Sequence, residues 1–158
     1  MAFPSLTGTS LLGDQVRLPS ELPSERTLVL CAFKQHQQGQ VDRWIDRAVA
    51  ELGVAASPLG LKGDVATAVI EVPCLGRKWR PVRRFIDGGM ASSIAQPPIL
   101  ARTITVYGDV AAIVRALGAP STAEVQARVV RRSGEVLAAA AGEPEGAGWD
   151  EIAGALRR

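Results

Sequence analysis

Leu28-Val29-Leu30-Cys31-Ala32-Phe33 is apolar at every position, the pattern of a strand covered on both faces in a largely parallel sheet. This run is read as the central strand. After the polar stretch Lys34 to Gln40, Val41, Trp44, Ile45, Ala48, Val49 and Leu52 recur at helical spacing and Gly53 follows them. Their spacing predicts an amphipathic helix with a glycine stop. Strand and helix together make one βα unit.

The same unit recurs downstream. Ala66 to Val72 reads as a second buried strand ending before Pro73-Cys74, and a second helix opens at Pro81 with Val82, Phe85, Ile86 and Met90 on its inner face. Thr103 to Tyr107 reads as a third strand. Asp109 then suits an N-cap, Val110, Ile113, Val114 and Leu117 form an apolar stripe, and Gly118 ends that helix. Upstream, Leu11 to Leu18 is predicted to be a short hairpin turning at Gly13-Asp14, followed by a loop marked by Pro19 and Pro23. At the other end, Val125 to Val130 and Val136 to Ala140 flank Arg131-Arg132-Ser133-Gly134, a hairpin with glycine in the left-handed position. A last helix carries Trp149, Ile152, Ala153 and Leu156. The order hairpin, βα, βα, βα, ββ, α predicts an α/β protein with a central mixed β-sheet flanked by helices.

At 158 residues, with 47% apolar and 22% charged residues, the chain suits one globular domain over residues 1–158 that folds without a disulfide framework. No window offers the roughly 20 consecutive apolar residues of a membrane span, and Met1 to Ser10 lacks a basic region followed by an apolar run. A cytoplasmic location is expected. Two cysteines, Cys31 and Cys74, are too few for a secreted scaffold and lack zinc spacing. No metal, nucleotide or other cofactor motif is present, so no cofactor is expected. The net charge of +2 is too small for the whole-molecule field to favour nucleic acid or membrane.

The element order resembles the thioredoxin superfamily, in particular its peroxiredoxin-like branch with an N-terminal hairpin and an inserted strand and helix. Arg84-Phe85-Ile86-Asp87-Gly88-Gly89-Met90, followed by Thr103-Ile104-Thr105-Val106-Tyr107-Gly108-Asp109, resembles the Atp10 family, as does Thr27 to Lys34 followed by Trp44. That resemblance implies an assembly factor for a membrane complex such as ATP synthase. The superfamily places its reactive cysteine after the first central strand, where the next helix N-terminus lowers the thiol pKa. Here Lys34-Gln35-His36-Gln37-Gln38-Gly39-Gln40 occupies that place without a thiol. The cis-proline that faces the thiol would fall near Val125, and Pro120 is the nearest proline.

Among the candidate residues, Cys31 lies within an all-apolar strand and reads as a buried hydrophobe. Cys74 is expected at the carboxyl edge of the sheet, where Arg77 and Lys78 would stabilise a thiolate, though no resolving cysteine accompanies it. His36, the one histidine, has no adjacent partner and reads as a solvated loop residue before it reads as an acid or base. Gly76 to Arg84 holds five cations in nine residues beside Trp79, which fits a solvated or protein-binding face better than a phosphate track. Gly88-Gly89 reads as a helix stop, since no strand, spaced glycines or lysine complete a nucleotide loop. These readings converge on a redox-inactive binding module with a protein partner. Its candidate contacts are Lys34, Gln35, His36, Gln37, Gln40, Arg77, Lys78, Trp79 and Arg80. Two alternatives stand beside it: a one-cysteine thiol oxidoreductase or peroxidase using Cys74, and a weak nucleic-acid or anionic-lipid binder through residues 77–84.

Overall fold

The computed structural model describes residues 2–59, 65–78, 86–90 and 96–158. Seven strands form one mixed sheet: β1 (Leu6–Ser10), β2 (Gln15–Leu18), β3 (Arg26–Ala32), β4 (Thr67–Gly76), β5 (Ile104–Gly108), β6 (Gln126–Arg131) and β7 (Val136–Ala141). Their spatial order is β2-β1-β5-β4-β3-β6-β7. β3 and β4 run parallel, as do β4 and β5, whereas β1, β2, β6 and β7 join antiparallel. The helices are α1 (Gln38–Leu52), α2 (residues 86–90), α3 (Pro97–Arg102), α4 (Val110–Ala116) and α5 (Gly146–Arg157). The fold class expected from the sequence is the one observed.

Several elements sit where their residues dictate. α1 buries Val41, Trp44, Ile45 and Ala48 and stops at Gly53, whose φ of 64° is accessible without penalty only to a residue lacking Cβ. Asp109 caps α4 by accepting from the Ala112 amide at 3.1 Å. The closing hairpin turns at Gly134 as expected, with φ at 95°.

Other expectations need correction. The hairpin turns at residues 11–14, and its first strand is Leu6–Ser10, upstream of the expected span. β4, not β3, is the middle strand. Nor does β4 stop before Pro73; it continues to Gly76. A proline is tolerated there because the β5 side of the ladder is interrupted, between the Glu71–Thr103 bridge and the Cys74–Val106 pair. α3 has no counterpart in the sequence reading; it opens on Pro97-Pro98, which fits a first helical turn. The expected start of the second helix, with Pro81, Val82 and Phe85, lies outside the described residues; Ile86 and Met90 fall in α2, each half-buried.

Because side chains alternate across a strand, the sheet has two apolar faces. Leu28, Leu30, Val69, Ala127 and Val129 point to the face covered by α1 and α5, where Trp44 and Trp149 meet. Val29, Cys31, Ile70, Val72, Cys74, Ile104 and Val106 point to the face covered by α4, with Ile113, Leu117 and Phe3. Arg128, buried in β6, is held there by carbonyls at its two terminal nitrogens: Nη1 donates to Ala127 and Ala140, and Nη2 donates to Leu117 and to the Gln126 side chain, while Nε is buried without a partner among the described residues. Burial holds its pKa below the usual arginine value.

Candidate functional site

β3 and β4 are parallel, with Ala32 opposite Pro73, so the segments leaving them emerge at the same edge of the sheet. From β3 comes a single 3-10 turn, Gln35–Gln37, that leads into α1. From β4 come Arg77 and Lys78. This edge therefore collects the candidate contacts. Lys34, Gln35 and His36 are exposed, as are Arg77 and Lys78, while Gln40 is half-buried. Trp79 and Arg80 lie outside the described residues, as do Arg83 and Arg84.

Gln37 departs from its expected role. It is only 2% exposed. Its Oε1 accepts from the Phe33 and Lys34 amides at 2.8 and 3.3 Å, and its Nε2 donates to the Thr122 carbonyl at 2.7 Å. A neighbouring amide completes the brace, since Gln40 Oε1 accepts from the Val125 amide at 3.2 Å. Two of the glutamines that looked available to a partner thus satisfy backbone groups of two loops 85 residues apart in sequence. Val125, where the sequence comparison placed a cis-proline, is buried in the α1 face. The one cis peptide among the described residues is Leu18–Pro19.

Beneath the turn lies a cluster the sequence reading missed. Glu71 is 4% exposed in the middle of β4. Its Oε1 accepts from Gln38 Nε2 at 3.2 Å, and its Oε2 accepts from Arg102 Nε at 3.1 Å. Arg102 also donates to the Ala56 carbonyl at 3.0 Å, and Gln38 donates to Asp42 at 2.9 Å. Burial pushes the Glu71 carboxyl above its usual range, a shift that the Gln38 hydrogen bond and the Arg102 charge only partly offset. The available signal was a lone charge within Ala68-Val69-Ile70-Glu71-Val72.

Cys74 lies near the carboxyl end of β4, as expected, but is not accessible there. It is a residue of β4, 1% exposed, on the α4 face of the sheet, away from α1. Cys31 lies on the same face with no exposure. Both thiols are free. The Cys74 thiol is held well above its usual pKa, first by its hydrogen bond with Cys31 and then by burial. Among the described residues, no three His, Cys, Asp or Glu side chains come together in a way that could hold a metal ion. No helix among them is long and apolar enough to cross a membrane.

No protein-family model matches the chain, and no curated protein matches it in sequence. Solved structures do match. The pneumococcal exposed lipoprotein thioredoxin Etrx1 of Streptococcus pneumoniae superposes with a TM-score of 0.57 at 13% identity, covering 98% of each chain. BsSco, a member of the Sco family of cytochrome c oxidase assembly proteins, gives 0.57 at 13% identity, covering 99% of this chain and 91% of its own. A thiol:disulfide interchange protein DsbE from Chlorobium tepidum gives 0.53 at 16%, over 98% and 95%. At such identities the likeness speaks for the architecture, and the chain has a thioredoxin-like fold.

Proposed function

We propose that the protein is a thioredoxin-like binding module that performs no thiol chemistry, and that it meets a protein partner through the edge formed by Lys34, Gln35, His36, Arg77 and Lys78. One observation carries this reading. The start of α1, where the superfamily resemblance implies a reactive cysteine, is occupied by the internally bonded Gln37, and both cysteines lie in the apolar layer on the opposite face. A thiol nucleophile needs exposure and a lowered pKa. Cys74 is buried and its pKa is raised.

An assembly role is the finer form of the proposal. It is supported by the resemblance to the Atp10 family, with its link to the membrane sector of ATP synthase, and by the likeness in fold to a cytochrome c oxidase assembly protein. Free thiols suit a reducing compartment, and so support a cytoplasmic location. The test is affinity capture from the native host with the wild type and with a Lys34→Glu, His36→Asp, Arg77→Glu variant, alongside insulin-disulfide and peroxide assays. A membrane-complex subunit retained by the wild type and lost by the variant is the expected result. Peroxide turnover that disappears on Cys74→Ser would overturn the proposal and install the thiol-enzyme alternative.

A further inference from the structure

Three segments distant in sequence enclose an open cleft of about 550 Å³. Its position follows from register: Arg26, the first residue of β3, pairs with Arg131, the last of β6, so the β6–β7 turn lies beside the start of β3. The other walls are the N-terminal segment and the end of β2. The Phe3 amide donates to the Gly134 carbonyl at 2.7 Å, tying the N-terminal segment to the turn. The volume falls within the range of small-molecule sites.

The polar groups of the cleft are donors, and no carboxylate lines it. Arg132 is anchored by one nitrogen, Nε, which donates to the Leu22 carbonyl at 2.9 Å. Its two terminal nitrogens make no hydrogen bond or ion pair among the described residues, and neither does the guanidinium of Arg17. Two acidic residues close in sequence to these arginines are engaged: Glu21 accepts from the Arg17 backbone amide at 2.7 Å, and Glu135 faces Arg131 at 3.6 Å. Hydroxyls of Ser5, Thr7, Ser20 and Ser133 ring the same space, and Phe3, Leu18 and Pro19 provide an apolar wall.

We infer that this cleft binds the phosphate group of a small phosphorylated organic molecule. Two unpaired guanidiniums match the double negative charge of a phosphate monoester, and guanidinium forks suit its oxygens. The hydroxyls can serve the remaining oxygens, while the apolar wall receives the organic part. A carboxylate has one charge and two oxygens, and would leave most of these donors unmet.

Phenyl phosphate titrated into isotope-labelled protein, with benzoate as the carboxylate comparator, tests the inference through backbone amide shifts. Phenyl phosphate should move the Ser20 and Ser133 amides saturably, and Arg17→Ala should weaken binding about tenfold, in keeping with one lost charge-assisted pair. Arg17 is the informative position because it lies exposed on the edge strand β2, whereas Arg132 also holds the Leu22 carbonyl. Absence of a saturable shift, unchanged affinity in Arg17→Ala, or benzoate binding as tightly as phenyl phosphate would each overturn it.

Discussion

Trp44 of α1 and Trp149 of α5 pack with ring centroids 6.0 Å apart and planes tilted by 41°. The Trp44 indole N–H also donates to the Gly142 carbonyl at 2.8 Å, so one side chain joins two helices and the loop between β7 and α5. Trp44 has no exposure. Trp44→Ala should therefore lower unfolding free energy by about 3 to 5 kcal/mol. Trp44→Phe retains most of the ring contact and should lose less, about 1 to 3 kcal/mol, mainly because the buried Gly142 carbonyl goes unpaired. Urea unfolding of the two variants checks the order; equal losses would show that the ring contact retained by phenylalanine carries nothing.

Gln37→Ala removes the acceptor of two backbone amides and the donor to a third group at once. A destabilisation of about 1 to 3 kcal/mol is expected. Hydrogen exchange gives the sharper readout: the Phe33 and Lys34 amides should lose protection while the centre of β3 keeps its own. Uniform loss across the sheet would mean that Gln37 braces the whole fold and not one loop.

Glu71 makes stability depend on pH in a defined direction. Its carboxyl has a raised pKa in the folded protein, so the native state holds the proton more tightly than the unfolded chain does. That contribution is complete below the unfolded glutamate value, about pH 4, and is lost as pH rises through the folded value. Glu71→Gln has no such proton to lose. The melting temperature of Glu71→Gln relative to wild type should thus increase between about pH 4 and pH 7. A difference that stays flat, or falls, would contradict burial as the dominant influence on this group.

Both thiols should be inert while the protein is folded. Cys31 and Cys74 are 0% and 1% exposed, and burial disfavours the thiolate that reacts. An aromatic disulfide reagent should register no thiol in the native protein and both after denaturation. A native thiol titrated within minutes and removed by Cys74→Ser would show that β4 opens at its end.

What could be read in advance divides along physical lines. α1 and the β6–β7 hairpin were legible because local patterning and tertiary burial largely agree there: the apolar stripe of α1 is buried at Val41, Trp44, Ile45 and Ala48, with Val49 exposed, and stops at Gly53, and a glycine stands where positive φ is needed. β1 was not, since Thr7-Gly8-Thr9-Ser10 lacks apolar alternation. What makes it a strand is close packing on β5, where a Cβ at Gly8 would come within 2.6 Å of the Ile104 side chain. The candidate site was legible in place but not in role. His36 and Lys34 face solvent as a polar loop should. Gln37 turned inward because its partner, Thr122, is 85 residues away, and no local pattern encodes that distance. Glu71 was overlooked for the same reason: Gln38 and Arg102 lie 33 and 31 residues from it.

The sheet that separates two apolar faces also makes them independent of one another under substitution. A void opened beneath Trp44 cannot be refilled from the side of Ile70 and Val72, because seven strands of hydrogen-bonded backbone stand between them. Losses on opposite faces should simply add, as they do for sites without shared neighbours. A descendant of this chain could rebuild the layer under α4 around larger or smaller side chains and leave untouched α1 and the turn before it, which holds Lys34 and His36. Variation would then accumulate on one side of the molecule while the other stays fixed.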